Sequence, residues 1–110
     1  MSIEGIAREY FENFKNMNLS ELSAMFNDNV SLKDWNVEAT GKQLVLEANE
    51  NIFNSVNSLD VTVDNLYVSG KTAIAQLSIY VNDEQALPVV DIINFDENNK
   101  ITSIVAYRGN

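Results

Sequence analysis

The sequence contains no cysteine and no histidine. The first absence excludes disulfides and thiolate chemistry. The second removes the commonest metal ligand and the side chain most often used as a general base near neutral pH. Acid–base work therefore falls to carboxylates, tyrosines or lysines. Basic residues are scarce as well, with Lys+Arg 7 against Asp+Glu 16 and a net charge of -9. Phosphate backbones and anionic membrane surfaces repel such a chain at long range, which argues against nucleic acid or a membrane as partner. No apolar stretch approaches the roughly 20 residues that cross a bilayer. The opening MSIEGIAREYFENF is charged and periodic where a signal peptide would carry an uninterrupted apolar run. These features lead to the expectation of a soluble, cytoplasmic protein. A length of 110 residues suits one domain, residues 1–110, with one pocket.

Ile6, Ala7, Tyr10, Phe11, Phe14 and Met17 follow the i, i+3, i+4, i+7 spacing of a helix with one buried stripe, with Ser2 as its N-cap. Asn18 and Glu21 have capping-box spacing ahead of a short second helix through Leu19, Leu22, Met25 and Phe26. Val30, Leu32 and Asp34 alternate with polar residues as in a strand. Gly41 opens a third helical pattern that ends near Val56. After Ser58 the period changes to two. Leu59, Val61 and Val63 share one parity while Leu66 and Val68 take the other, which predicts a β-bulge near Asp64 and Asn65. Strands follow over Ala73–Val81, the doubly apolar run ALPVVDIINF, and Ile101–Arg108, with turns between them. Helices first and strands afterwards predict an α+β fold, three N-terminal helices packed on a strongly curved antiparallel sheet. Both parities of the last two strands carry apolar residues, so a homodimer through the convex sheet face is expected.

Three polar side chains fall among apolar ones. Asp91 shares its strand face with Leu87, Val89, Ile93 and Phe95, and an ionised carboxylate buried there without partners costs several kcal/mol, on the order of the penalty for a desolvated ion. It must take up a proton, find a donor or find a cation. Asp34 stands at a strand end and reads either as a turn residue before Trp35-Asn36 or as a functional acid. Tyr10 puts a hydroxyl in the apolar stripe of the first helix and reads either as an ordinary core residue or as a donor in need of a partner.

These residues carry a family resemblance. NLSELSAMFNDNVSLKD, the Gly41-Lys42 helix opening and the closing hairpin VVDIINFDENNKITSIVAYRG resemble the nuclear transport factor 2-like superfamily (SnoaL-like, cystatin-like fold), and within it the ketosteroid isomerases. The resemblance implies a cone with an internal pocket. It places Tyr10 on the isomerases' oxyanion-hole tyrosine, Asp34 on their general base and Asp91 on their protonated oxyanion-hole aspartate. The implied chemistry is proton transfer next to a carbonyl of a small apolar or weakly acidic substrate, as in an isomerase or a polyketide-cyclase-like lyase, with no metal and no cofactor. Phe26, Trp35, Asn49 and Arg108 are the expected substrate-binding residues. Several positions depart from the pattern. The segment from Asp34 to Gly41 is shorter, Trp35 replaces proline at the pocket mouth, Asn49 replaces the tyrosine that orients the oxyanion-hole tyrosine, and Arg108 replaces an apolar residue. A cation on the face of Asp91 would favour its ionised form, which cannot donate to an enolate; Arg108 could instead meet a substrate carboxylate or point to solvent. The other class open to this chain is a non-catalytic small-ligand-binding or dimerisation module of the same fold.

Overall fold

In the computed structural model, which describes residues 2–109, the chain runs α1 (Ile3–Lys15), α2 (Leu19–Met25), β1 (Phe26–Lys33), β2 (Glu38–Thr40), α3 (Lys42–Asn54), β3 (Leu59–Ser69), β4 (Thr72–Val81), β5 (Leu87–Phe95) and β6 (Ile101–Arg108). Local chemistry sets the helix starts. The Ser2 hydroxyl accepts from the Gly5 amide at 3.0 Å and the Asn18 side chain accepts from the Glu21 amide at 3.2 Å, satisfying donors that an α-helix leaves free in its first turn. Gly41 precedes α3 at φ 96°, a conformation that a side chain would strain. Phe26 is already extended, at φ -89° and ψ 137°, so it opens β1 rather than closing the second helix.

The six strands form one sheet in the order β2-β1-β6-β5-β4-β3. From β3 to β6 it is an antiparallel meander, as alternation and turn residues predict. Val63 pairs with Leu77 and Asn65 with Gln76, so Asp64 is the extra residue of the expected bulge. Two expectations are corrected. The sheet is mixed rather than antiparallel, because β1 lies parallel to β6. It is also open and not strongly curled, so it does not form a cone: β2 and β3 are opposite edges and no ladder joins them. The bulge at Asp64 bends the β3–β4 pair, and closure would need β2, three residues long, to find a partner across the gap.

The helices lie over one face of this sheet. Ile6, Ala7, Tyr10 and Phe11 of α1, Leu22 and Met25 of α2, and Val45 and Phe53 of α3 share a core with Ala73, Ala75, Val89, Ile93 and Ile104 of the strands. Among the described residues no helix is long and apolar enough to cross a membrane.

Candidate functional site

The sheet leaves room beneath the helices because its middle rows carry small side chains. Asp91 on β5 pairs with Ala75 on β4 and with Ala106 on β6, and its neighbours along the same face are Val89 and Ile93. Ala106 stands opposite Asp91, beyond a register shift beside Phe95. The short Ala106 side chain leaves space in front of the carboxyl. A cavity of about 220 Å³ opens there between α1, α3 and the sheet. Tyr10, Asp34, Trp35, Asn49 and Asp91 line it, amid apolar side chains such as Phe14, Leu77 and Ile104.

The electrostatics follow from that lining. None of the four side chains flanking Asp91 can donate a hydrogen bond. With Asp91 8% exposed, burial pushes its pKa up to about 7, and the charge of Asp34 across the cavity adds to the rise. Burial, reinforced by Asp91, also raises Tyr10 well above the ordinary phenol range, so its hydroxyl keeps its proton. Two residues that hold a proton near neutral pH, Tyr10 and Asp91, thus line the cavity together with Asp34.

Each group is held by local structure. The Tyr10 ring packs edge-on to Phe11, with centroids 5.4 Å apart, and touches Phe14 and Phe26 at 6.2 and 6.4 Å. This aromatic cluster fixes the orientation of the ring. Asp34 follows β1 directly. Its Oδ1 accepts from the amides of Asn36 and Val37, both at 2.7 Å, and its own amide donates to the Val37 carbonyl at 2.9 Å. The turn role is therefore real, and it engages one oxygen while Oδ2 takes no part in it.

The other expected site residues separate. Trp35, 41% exposed, stands at the cavity mouth and Asn49 is buried in the α3 wall. Phe26 does not line the cavity; it is a buried core residue packed behind Tyr10. Arg108 pairs with Val89 and so shares the face of Asp91, but it sits at the strand end and lines a second, more open concavity of about 740 Å³ with Trp35, Glu84 and Leu87. It is not among the causes of the Asp91 shift. Of the readings open to Arg108, an exposed place at the strand end is the one observed. Sequence reading missed Ala106, whose only signal is a low β-propensity residue on the core parity of a strand.

The fold is similar to that of a candidate ketosteroid isomerase from Kribbella flavida, at 18% identity over 98% of this chain and 78% of that one, with a TM-score of 0.86. It is also similar to a candidate SnoaL-like polyketide cyclase from Shewanella denitrificans, at 15% identity over 97% and 90% of the two chains and a TM-score of 0.87. An NTF2-like protein of unknown function from Cytophaga hutchinsonii matches at 13% identity over 99% and 91%, with a TM-score of 0.83. At such identities these likenesses concern the fold alone. Among curated proteins none matches. The SnoaL-like domain, however, matches residues 7–104, nearly the whole length, and on that match the chain belongs to the SnoaL-like family.

Proposed function

We propose that this chain is a cofactor-independent enzyme, closest in chemistry to ketosteroid isomerase, that transfers a proton next to the carbonyl of a small apolar substrate. The observation that carries the reading is Asp91: a buried carboxyl without a donor beside it, protonated to about pH 7, on the same cavity as Asp34. In this reading Asp34 removes a proton from the carbon next to the carbonyl. The charge that develops on the carbonyl oxygen is met by the hydroxyl of Tyr10 and the acid proton of Asp91. The proton then returns at the γ-carbon and leaves a conjugated ketone. Donors fixed in a dry site act without reorganisation, and each is worth about 10²–10³ in rate.

Size refines the substrate. A cavity of about 220 Å³ is below the roughly 300–1,000 Å³ typical of sites for drug-sized ligands, which favours a compact one- or two-ring compound over a steroid. Two other readings have an observation behind them. Family membership favours ring closure of a polyketide-like substrate, for which the same base and the same donors would form and stabilise an enolate. The Arg108 concavity favours a weakly acidic substrate with its anion held outside the cavity.

The test is ultraviolet detection of the conjugated product from a β,γ-unsaturated cyclohexenone, comparing wild type with Asp34→Asn. Turnover that drops by about 10²–10⁴ in the variant, the usual worth of a general base, is expected. Equal, background rates for both would favour the ligand-binding module.

A further inference from the structure

The cavity wall holds a polar group for which the proton transfer has no use. Asn49 is 2% exposed, and its Nδ2 is sealed from solvent with no hydrogen-bond partner among the described residues. Native proteins seldom leave a buried amide unpaired, and each such group calls for a reason. The fold supplies none here. Val45, Asn49 and Phe53 recur at i, i+4 and i+8 on the buried stripe of α3, and the outer two are apolar, so an apolar side chain at the middle position would serve the packing as well. The one thing that distinguishes Asn49 on this stripe is that it lines the cavity.

We infer that Asn49 is a recognition group whose carboxamide pairs with a second oxygen of the substrate, a hydroxyl, while Tyr10 and Asp91 hold the first. The inference rests on the proposed function insofar as it takes the cavity to be a ligand site. A hydroxyl fits because it both donates and accepts. It can accept from Nδ2 or donate to Oδ1, and a half-turn of the carboxamide exchanges the two atoms without changing its shape. The rest of the lining is largely apolar, so the substrate class is a compact hydroxylated carbonyl compound. An unpaired buried amide also discriminates against a substrate lacking the hydroxyl, since the group then stays unsatisfied in the complex.

The experiment uses aromatic alcohols, whose ring hydroxyl stands in for an enolate oxygen. Calorimetric titration compares naphthol with the dihydroxynaphthalene isomers on wild type, Asn49→Leu and Asn49→Ala. At least one dihydroxy isomer is expected to bind wild type about tenfold more tightly than naphthol, the scale of one hydrogen bond in a dry site. Both variants should lose that advantage and keep wild-type affinity for naphthol. The free Asn49→Leu protein should melt no lower than wild type, because the change removes an unpaired polar group. Naphthol binding without any dihydroxy advantage would overturn the inference and leave the proposed function standing. Failure of every phenol to bind wild type would overturn both. An Asn49→Ala protein that does not fold would show that the fold itself needs the amide, and would also overturn it.

Discussion

Asp91 keeps its proton because nothing in its row of the sheet can share it: Ala75 and Ala106 flank it across the strands and Val89 and Ile93 along its own. This has a consequence for stability. A folded pKa of about 7 against an ordinary 3.8 means that the native state holds the proton more tightly than the unfolded chain. The contribution of the protonated form is complete below about pH 4 and is lost as pH rises toward 7, and at about 1.4 kcal/mol per pH unit the whole effect is on the order of 4 kcal/mol. Asp91→Asn should therefore flatten the fall in melting temperature between pH 4 and 7, as scanning calorimetry would show; an unchanged slope would mean that Asp91 is ionised throughout. In the proposed reaction kcat/KM should also decline above pH 7, where Asp91 ceases to be a donor. Tyr10→Phe should lower kcat by about 10²–10³ with little change in melting temperature, since the aromatic packing remains. The sequence disclosed Asp91 because a mid-strand aspartate contradicts its surroundings. It could not disclose that Asp34 both holds a turn and lines a cavity, nor that Phe26 stands behind Tyr10, since both depend on where β1 begins and ends.

Among the elements, the β5–β6 turn ties the meander to the rest of the sheet. The Asp96 carboxylate accepts from the Asn27 side chain at 2.8 Å and from the amides of Asn98 and Lys100 at 2.8 and 3.0 Å. The Asn27 bond first, then the backbone donors, hold its pKa below the usual carboxylate range. Here the linkage has the opposite sign: the contribution is present above the ordinary aspartate pKa of 3.8 and is lost as pH falls. Asp96→Ala should melt below wild type at neutral pH, and the gap should narrow below about pH 4. Elements of this kind, bounded by turn chemistry and marked by period, were open to reading from sequence, down to the bulge at Asp64. What stayed hidden was β2, whose three residues are too few to show an alternation, and the parallel union of β1 with β6. A hairpin announces itself through the residues of its turn. Strands brought together from far along the chain have no turn, and an expectation built on local alternation joins neighbours only.

At the scale of the molecule, charge is distributed unevenly. Of 16 acidic and 7 basic residues, none lies on the outer face of β4, β5 and β6. Instead Tyr67, Ile74, Ile92 and Val105 stand in one register row across four strands, with Tyr107 60% exposed one row away. Charge stands at the borders of this patch, with Lys33 opposite Val105 and Asp64 beside Ser78; an uncharged, aromatic-bearing centre on a protein of net charge -9 has the composition of an interface centre, and a second copy is the occupant we expect there. Sedimentation equilibrium should give the mass of two chains for wild type and of one for Ile92→Lys; a wild-type monomer at micromolar concentration would contradict the dimer. The parallel pairing of β1 with β6 sets an order of events as well. Asp91 belongs to a meander of successive hairpins that can form from nearby residues, whereas Asp34 reaches the cavity only on a strand that must wait for the last one. We therefore expect assembly of the cavity to come late in folding, because its non-local contacts must repay the closure of a long loop. A chain arrested before that step would display Asp91 and lack Asp34, so a refolding experiment should recover hairpin signals before it recovers the ability to bind.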